Sequence, residues 1–215
     1  VLFVHDTHSH LTEFATVEDG KSQIMGGFAK MAFEQNWIDA EVRKGKVGGA
    51  YCTSFPAQKQ ARVLTNFTGT FSDILTLAHE LDHCIHHLDN ALLGYPMTLA
   101  ETASIFAETI VMEDMLSKTE GFEKAKLAEM HLSDGCQVLV DILSRFYFEK
   151  SVFEKKDAGL ELSAEDFCDL MLDAQNRTYG KGLKDDEKHK YMWALKVHYY
   201  SPELDFYNFP YAFGQ

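Results

Sequence analysis

Proline and tryptophan are scarce in this chain, four and two in 215 residues, and no Ser/Gly-rich tract occurs. That composition argues against a long interdomain linker. No apolar run reaches the roughly 18 residues that a membrane-spanning helix needs, and residues 1–4 are too short for a signal-peptide core. The cysteines are Cys52, Cys84, Cys136 and Cys168. They form no C-x-x-C pair, and in a chain of this length they do not make a disulfide-dense miniature fold. They read as reduced, buried or half-buried thiols of a cytoplasmic protein. Positive charge is also short. Twenty Lys and Arg against 33 Asp and Glu leave a net charge of −13, which sets nucleic acid aside as a partner.

What is present is a globular composition. With 46% apolar and 13% aromatic residues, the chain has material for one good-sized core, or for one and a half small domains. Leu2-Phe3-Val4 reads as a short strand and residues 27–37 as a helix. Ala50–Phe55 and Arg62–Phe67 are rich in Val, Thr, Phe and Tyr, and read as two strands joined by a loop containing Pro56. Ser72 or Asp73 is positioned to cap a helix that runs to about His87 or Asn90, where Gly94-Tyr95-Pro96 breaks it. A second helix is expected from Thr98 to about Leu116. Further helices are expected over about 120–155, with a break at Ser133-Asp134-Gly135, then over 163–177 and about 185–200. Ser163-Ala164-Glu165-Asp166 opens the 163–177 helix with a capping box. The expected fold is mainly α, with one small β-element.

The chemistry sits in the first long helix. His79-Glu80-Leu81-Asp82-His83 reads H-E-x-x-H. Positions i and i+4 share a helix face one turn apart, so both imidazoles can reach one metal ion with Glu80 beside it. This is the pattern in which two neutral nitrogens hold zinc and a carboxylate takes a proton from water. The pattern also suits a merely solvated helix face. A catalytic zinc needs a third protein ligand, and Glu101 is the candidate. Thr98-x-x-Glu101 equally fits a capping box, in which Glu101 would bond only the start of its own helix. Spacing does not choose between the two.

Several stretches together carry a resemblance. They are Trp37–Ala40, Arg43–Cys52, Leu64–Thr70, Thr76–Glu80, Ala100–Ser104 and Phe206–Gly214. From about Phe33 to the end, the sequence resembles the oligoendopeptidase F branch of the thimet oligopeptidase family of zinc peptidases. The resemblance implies a helical catalytic lobe of zincin type, with a small sheet lining the cleft. It implies one Zn²⁺ per chain, held by His79, His83 and Glu101, with Glu80 as general base and short peptides as substrates. It places the oxyanion-stabilising residues on His198 and Tyr207, with Tyr200 and Tyr211 as neighbours that could share the role. It also gives Gly49, Ala50 and Tyr51 to a strand edge along which the peptide lies. Core packing remains the alternative for the aromatic tail, and a plain hairpin the alternative for the strands.

The sequence departs from the family pattern in several places. Asp82 stands where the family usually has Gly, and both a partner to a ligating His and a disturbance of packing are open roles for it. The connection from His83 to Glu101 is shorter than in such relatives. His86 and His87 offer rival ligands, and His86 is expected beside the site or on the surface. Residues 1–32 resemble instead the opening of a calcineurin-like metallophosphoesterase, where Asp6 and His8 would bind metal. The later ligands of that chemistry are missing, and an ordinary turn suits Asp6, His8 and His10. Residues 1–32 are thus expected to be a leader and 33–215 a truncated peptidase core. An impaired zinc-binding fragment is the main alternative to an active enzyme. Apolar surface left uncovered by the truncation would favour self-association.

Overall fold

The computed structural model describes residues 20–88, 96–202, 204–207 and 209–214. The expected strand at Leu2–Val4, Asp6, His8, His10, and the break at Gly94-Tyr95 lie outside them. The fold is mainly helical with one three-stranded sheet, and the chain divides into two compact units near residue 127.

The first unit holds α1 (Gly20–Glu34), β1 (Ile38–Asp39), β2 (Tyr51–Phe55), β3 (Gln60–Leu64), α2 (Phe71–Leu88) and α3 (Met97–Lys118). The strand order is β1-β3-β2. β1 runs parallel to β3, pairing Ile38 with Val63. β2 runs antiparallel to β3, pairing Cys52 with Val63 and Phe55 with Gln60. β2 ends where expected, at Phe55, and β3 starts two residues early, at Gln60, because the link between them is only the 3-10 turn Pro56–Gln58 and Lys59 in a left-handed conformation; β3 stops at Leu64 rather than Phe67. The sheet buries Ala61 and Val63, and α2 packs against both β2 and β3.

β2 is an edge strand, and the loop before it is fixed from two sides. Lys46 Nζ reaches the carbonyls of Asp39, Glu41 and Thr65 at 2.7–2.8 Å and Asp39 Oδ1 at 3.1 Å. Asn66 Nδ2 donates to the carbonyls of Val47 and Gly49. Gly49 turns the chain into β2 with φ of +81°, a conformation that only glycine adopts without strain.

α2 begins two to three residues earlier than expected, at Phe71. Thr70 caps it by accepting from the Asp73 amide through Oγ1 at 3.2 Å, and Asp73 returns bonds to the Thr68 and Thr70 amides. These bonds overcome partial burial and hold the Asp73 carboxyl below its ordinary pKa. Leu75, Leu77, Ala78, Leu81 and Cys84 point into the core. α2 and α3 pack side by side.

The second unit holds most of α4 (Gly121–Cys136), then a π-helical turn (Gln137–Asp141), α5 (Ile142–Asp157), α6 (Ala164–Tyr179), α7 (Met192–Leu195) and α8 (Phe209–Gly214). The expected break at Ser133–Gly135 is instead the π turn that follows Cys136. It sets the buried Asp141 to accept from Gln137 Nε2 and Tyr179 Oη, each at 2.7 Å, and from Arg145. The Ser163–Asp166 capping box forms as read. The continuous helix expected over 185–200 does not form. The stretch is a 3-10 turn at Asp185–Glu187, the single turn α7, and a 3-10 turn at Val197–Tyr200. Gln175 of α6 explains why: its side-chain amide exchanges two 3.0 Å hydrogen bonds with the His189 backbone and holds that residue out of a helix. Phe148, Met171 and Ala174 form this unit's core, with Trp193 and Tyr199 packed on it.

Candidate metal centre

His79 and His83 lie one turn apart on α2, with rings edge to face and centroids 4.7 Å apart. Their Nε2 atoms approach to 3.0 Å. Glu101 of α3 brings Oε2 to 3.2 Å from His79 Nε2 and 3.8 Å from His83 Nε2. One ligand atom from each of the three lies within 4.8 Å of the others. The capping alternative for Glu101 is overturned. Pro96 occupies the N-cap of α3 with no side-chain cap, and the Thr98 carbonyl is taken by Thr102 Oγ1 at 2.6 Å. Glu101 is buried instead, and Ser104 Oγ donates to its Oε2 at 3.1 Å.

Two neutral imidazoles with facing Nε2 lone pairs repel one another unless a proton or a cation sits between them. A proton on His79 can take that place. Burial opposes a charge on His79, yet hydrogen bonds to Glu101 and Glu108 outweigh it and raise the His79 pKa to about 10. Burial, followed by the His79 charge beside it, drives His83 the other way. Glu101 stays below its ordinary value despite burial, because His79 bonds to it. The set of two nitrogens and one carboxylate, already converged, fits a divalent cation of zinc type.

Uptake of zinc at these atoms would displace the His79 proton. At pH 7 it should release about one proton, and affinity should rise roughly tenfold per pH unit toward pH 10. In the metal-free chain the sign reverses. The protonated pair stabilises the fold fully below the unfolded histidine value of about 6.5, and that contribution is lost as pH rises through about 10. Calorimetric titration in buffers of different ionisation enthalpy measures the proton count.

Glu108 was not singled out by the sequence. It lies seven residues after Glu101, two turns along the same helix, and its Oε1 is 2.5 Å from His79 Nδ1. A carboxylate on the far nitrogen fixes the ring tautomer and leaves Nε2 as the ligand. The i+7 spacing of two glutamates, the only charged residues between Met97 and Met112, was the available signal. Glu108→Gln should weaken zinc binding about 10–100-fold, read by competition with a chromogenic chelator.

Glu80 lies on the same helix, mostly buried, which raises its carboxyl above the ordinary value. The Cys52 amide of β2 donates to it, so the edge strand and the acid are joined. Asp82 is buried too. His86 Nδ1 lies 3.1 Å from Asp82 Oδ2 and 3.0 Å from the Asp82 carbonyl oxygen, but the carboxylate oxygen makes no well-aligned hydrogen bond. His86 is thus held by Asp82, outside the ligand cluster, as expected.

The cysteine reading needs correction. Cys52 and Cys84 form a disulfide, with Cα atoms 5.9 Å apart, so these two are not reduced thiols. Spacing gave no hint of it, since 32 residues separate them and only the packing of β2 on α2 brings them together. Cys136 and Cys168 are free.

Within the second unit, His198, Tyr207 and Tyr211 gather. The His198 and Tyr207 rings are 5.9 Å apart, and Tyr211 Oη donates to Tyr207 Oη at 3.4 Å. Burial, then the Arg145 and Lys196 charges, lowers the His198 pKa and keeps it neutral near pH 7. Tyr200 is exposed. In the first unit, Gly49 and Ala50 lead into β2 and Tyr51 opens it, half exposed.

An H-E-x-x-H helix whose candidate third ligand, the Glu101 carboxylate, comes from the following helix, beside a small sheet, is the arrangement expected of a metallopeptidase centre. The chain belongs to peptidase family M3, whose sequence model matches residues 18–215. That match begins ahead of Phe33 and takes in all of α1, which packs on α2. Oligoendopeptidase F (chromosomal) of Lactococcus lactis subsp. cremoris is 33% identical over 193 residues, covering 86% of this chain and 31% of that protein. Oligopeptidase PepF of Bacillus subtilis strain 168 is 25% identical over 232 residues, covering 98% of this chain and 34% of that protein. The solved structure of Pz peptidase A with inhibitor 2 has the same fold. Its TM-score is 0.72 at 23% identity, over 98% of this chain and 37% of its own. The chain spans about a third of the length of the curated relatives it matches.

Proposed function

We propose that this chain is the zinc-binding catalytic portion of a metalloendopeptidase that hydrolyses short peptides. The convergence of His79, His83 and Glu101, with Glu80 beside them, carries the reading. His79, His83 and Glu101 would hold one zinc per chain. Zinc, when bound, supplies a Lewis acid that polarises water and the scissile carbonyl.

The remaining work falls to the chain's own groups. Glu80 takes a proton from the attacking water and delivers it to the leaving amine. Burial raises its pKa above the ordinary carboxylate value, the direction that strengthens it as a base. The peptide adds a strand along the free edge of β2, entering past Gly49, Ala50 and Tyr51, with main-chain hydrogen bonds fixing its register. His198 and Tyr207, with Tyr200 and Tyr211 near them in sequence, are assigned by family resemblance to donate hydrogen bonds to the oxyanion.

The decisive experiment is cleavage of a quenched-fluorescent peptide by the chain. Removal of metal with a chelator should abolish cleavage, and stoichiometric zinc should restore it. Cleavage indifferent to the chelator would rule out the mechanism. A second reading is favoured by the coverage of about a third of the relatives' length: a portion that binds zinc but needs further walls for turnover. Stoichiometric zinc with no cleavage selects it. Exposed apolar side chains such as Phe106, Phe122 and Leu132 support self-association of the chain in that case. The working compartment is assigned as cytoplasmic; among the described residues no helix is long and apolar enough to cross a membrane.

A further inference from the structure

We propose that the Cys52–Cys84 bond is a reversible clasp that positions the substrate edge and Glu80, which puts the metal centre under thiol–disulfide control. The inference rests on the peptidase reading for its consequence, but on the geometry of β2 and α2 for its existence.

Cys52 is the second residue of β2, a strand paired on one side only among the described residues. Cys84 follows the metal ligand His83 on α2 and is buried. The bond therefore links the free-edged strand to the helix that bears both histidines. The same Cys52 gives its amide to the Glu80 carboxylate. One residue thus holds the acid through its backbone and the helix through its side chain. When the bond opens, the Cys52 amide keeps its place through the β2–β3 ladder and ordinary packing alone. A loosened β2 moves both the donor that fixes Glu80 and the edge that receives a peptide. Neither cysteine side chain touches substrate in this scheme, so both sulfurs act by positioning.

The two sulfurs differ in access, which sets the order of exchange. Cys84 is 1% exposed, whereas Cys52 is half-buried, with its Sγ 3.7 Å from His87 Nδ1. A low-molecular-weight thiol attacks Cys52 Sγ and forms a mixed disulfide there. The Cys84 sulfur leaves with the bonding electron pair and takes up the proton the thiol gave up. A second thiol attacks the mixed disulfide, releases Cys52 as a thiol, and departs as a small-molecule disulfide. Two electrons pass from two thiols to the protein bond, and the reverse sequence oxidises it. In a reducing compartment, a protein disulfide of this kind is typically transient and regulatory.

The test uses the whole chain with zinc bound, equilibrated with reduced or oxidised glutathione. Alkylation and peptide mapping report the state of Cys52 and Cys84; Cys136 and Cys168 serve as internal references. Amide exchange of residues 51–55, zinc content, kcat and KM are then measured in both states. Reduction should speed exchange at the Cys52 amide about tenfold or more, lower kcat by a similar factor, and leave zinc at one per chain. Reoxidation should restore both. Cys84→Ser should sit in the low state and ignore glutathione. The clasp is overturned if Cys52 and Cys84 alkylate freely even after oxidation. It is equally overturned if the bond forms and opens with no change in Cys52 amide exchange. Absence of cleavage in either state would count against the peptidase reading, while amide exchange would still decide the clasp.

Discussion

Replacing Glu80 by Gln should lower kcat for peptide cleavage roughly 10²–10⁴-fold, with KM and zinc content little changed. The substitution keeps the shape of the side chain. Its amide oxygen can still accept from the Cys52 N–H, so the bond that holds residue 80 survives. Glu80 stands outside the converged ligand set, so zinc should stay. What Gln cannot do is take a proton from water and return it to the leaving amine. A fall confined to kcat marks a group that acts only in the transition state. Lost zinc would instead make Glu80 a structural support, and a rate within about threefold of the parent would end its assignment as general base.

The site was legible in sequence where its geometry is local. His79 and His83 need only four residues of helix to converge, and that spacing survives in any tertiary setting. Glu101 was ambiguous because Thr98 and Glu101 obey a capping rule as well as a ligand rule. Tertiary packing removes the capping reading: Pro96 takes the N-cap, and the face of α3 that bears Glu101 turns to the histidines of α2. Glu108 was available to a reader who followed the same face two turns further. The Cys52–Cys84 bond was not, since strand–helix packing across 32 residues leaves no periodic trace.

The fold shows the same division. Helix positions are legible where capping and breaking residues mark them, and the 163–177 helix comes with its Ser163 cap in place. The stretch 185–200 was misread because local composition favours a helix while Gln175, fourteen residues away, claims the His189 backbone. The π turn at Gln137–Asp141 is a further case. Nothing in Ser133-Asp134-Gly135 stops a helix that continues, and the irregularity appears where Asp141 must meet Gln137, Arg145 and Tyr179. Reciprocal side-chain bonds of this kind outweigh propensity differences of a few tenths of a kcal/mol per residue.

Reduction of Cys52–Cys84 should lower the unfolding free energy of the first unit by roughly 3–4 kcal/mol, the chain-entropy value for a cross-link spanning about 30 residues. For a chain of this size that is a drop in Tm on the order of 10 °C. The argument concerns the unfolded state. With the bond closed, an unfolded chain cannot separate β2 from α2, and the lost conformations no longer favour unfolding. The packing of α2 changes little, because Cys84 stays buried with Leu77, Ala78 and Leu81 on that helix's inner face, so the loosening is confined to β2. Melting should be followed with and without a phosphine reductant, at fixed zinc. The double variant Cys52→Ala/Cys84→Ala should melt near the reduced parent and show no further response to reductant. Cys136 and Cys168 lie in the second unit and are unbonded, so melting of that unit should not respond. Equal melting of the parent in both conditions, with the bond shown closed in one and open in the other, would mean that the zinc ligands alone hold α2, α3 and the sheet together. In that case the Cys52–Cys84 link would be stabilising nothing that His79, His83 and Glu101 do not already secure.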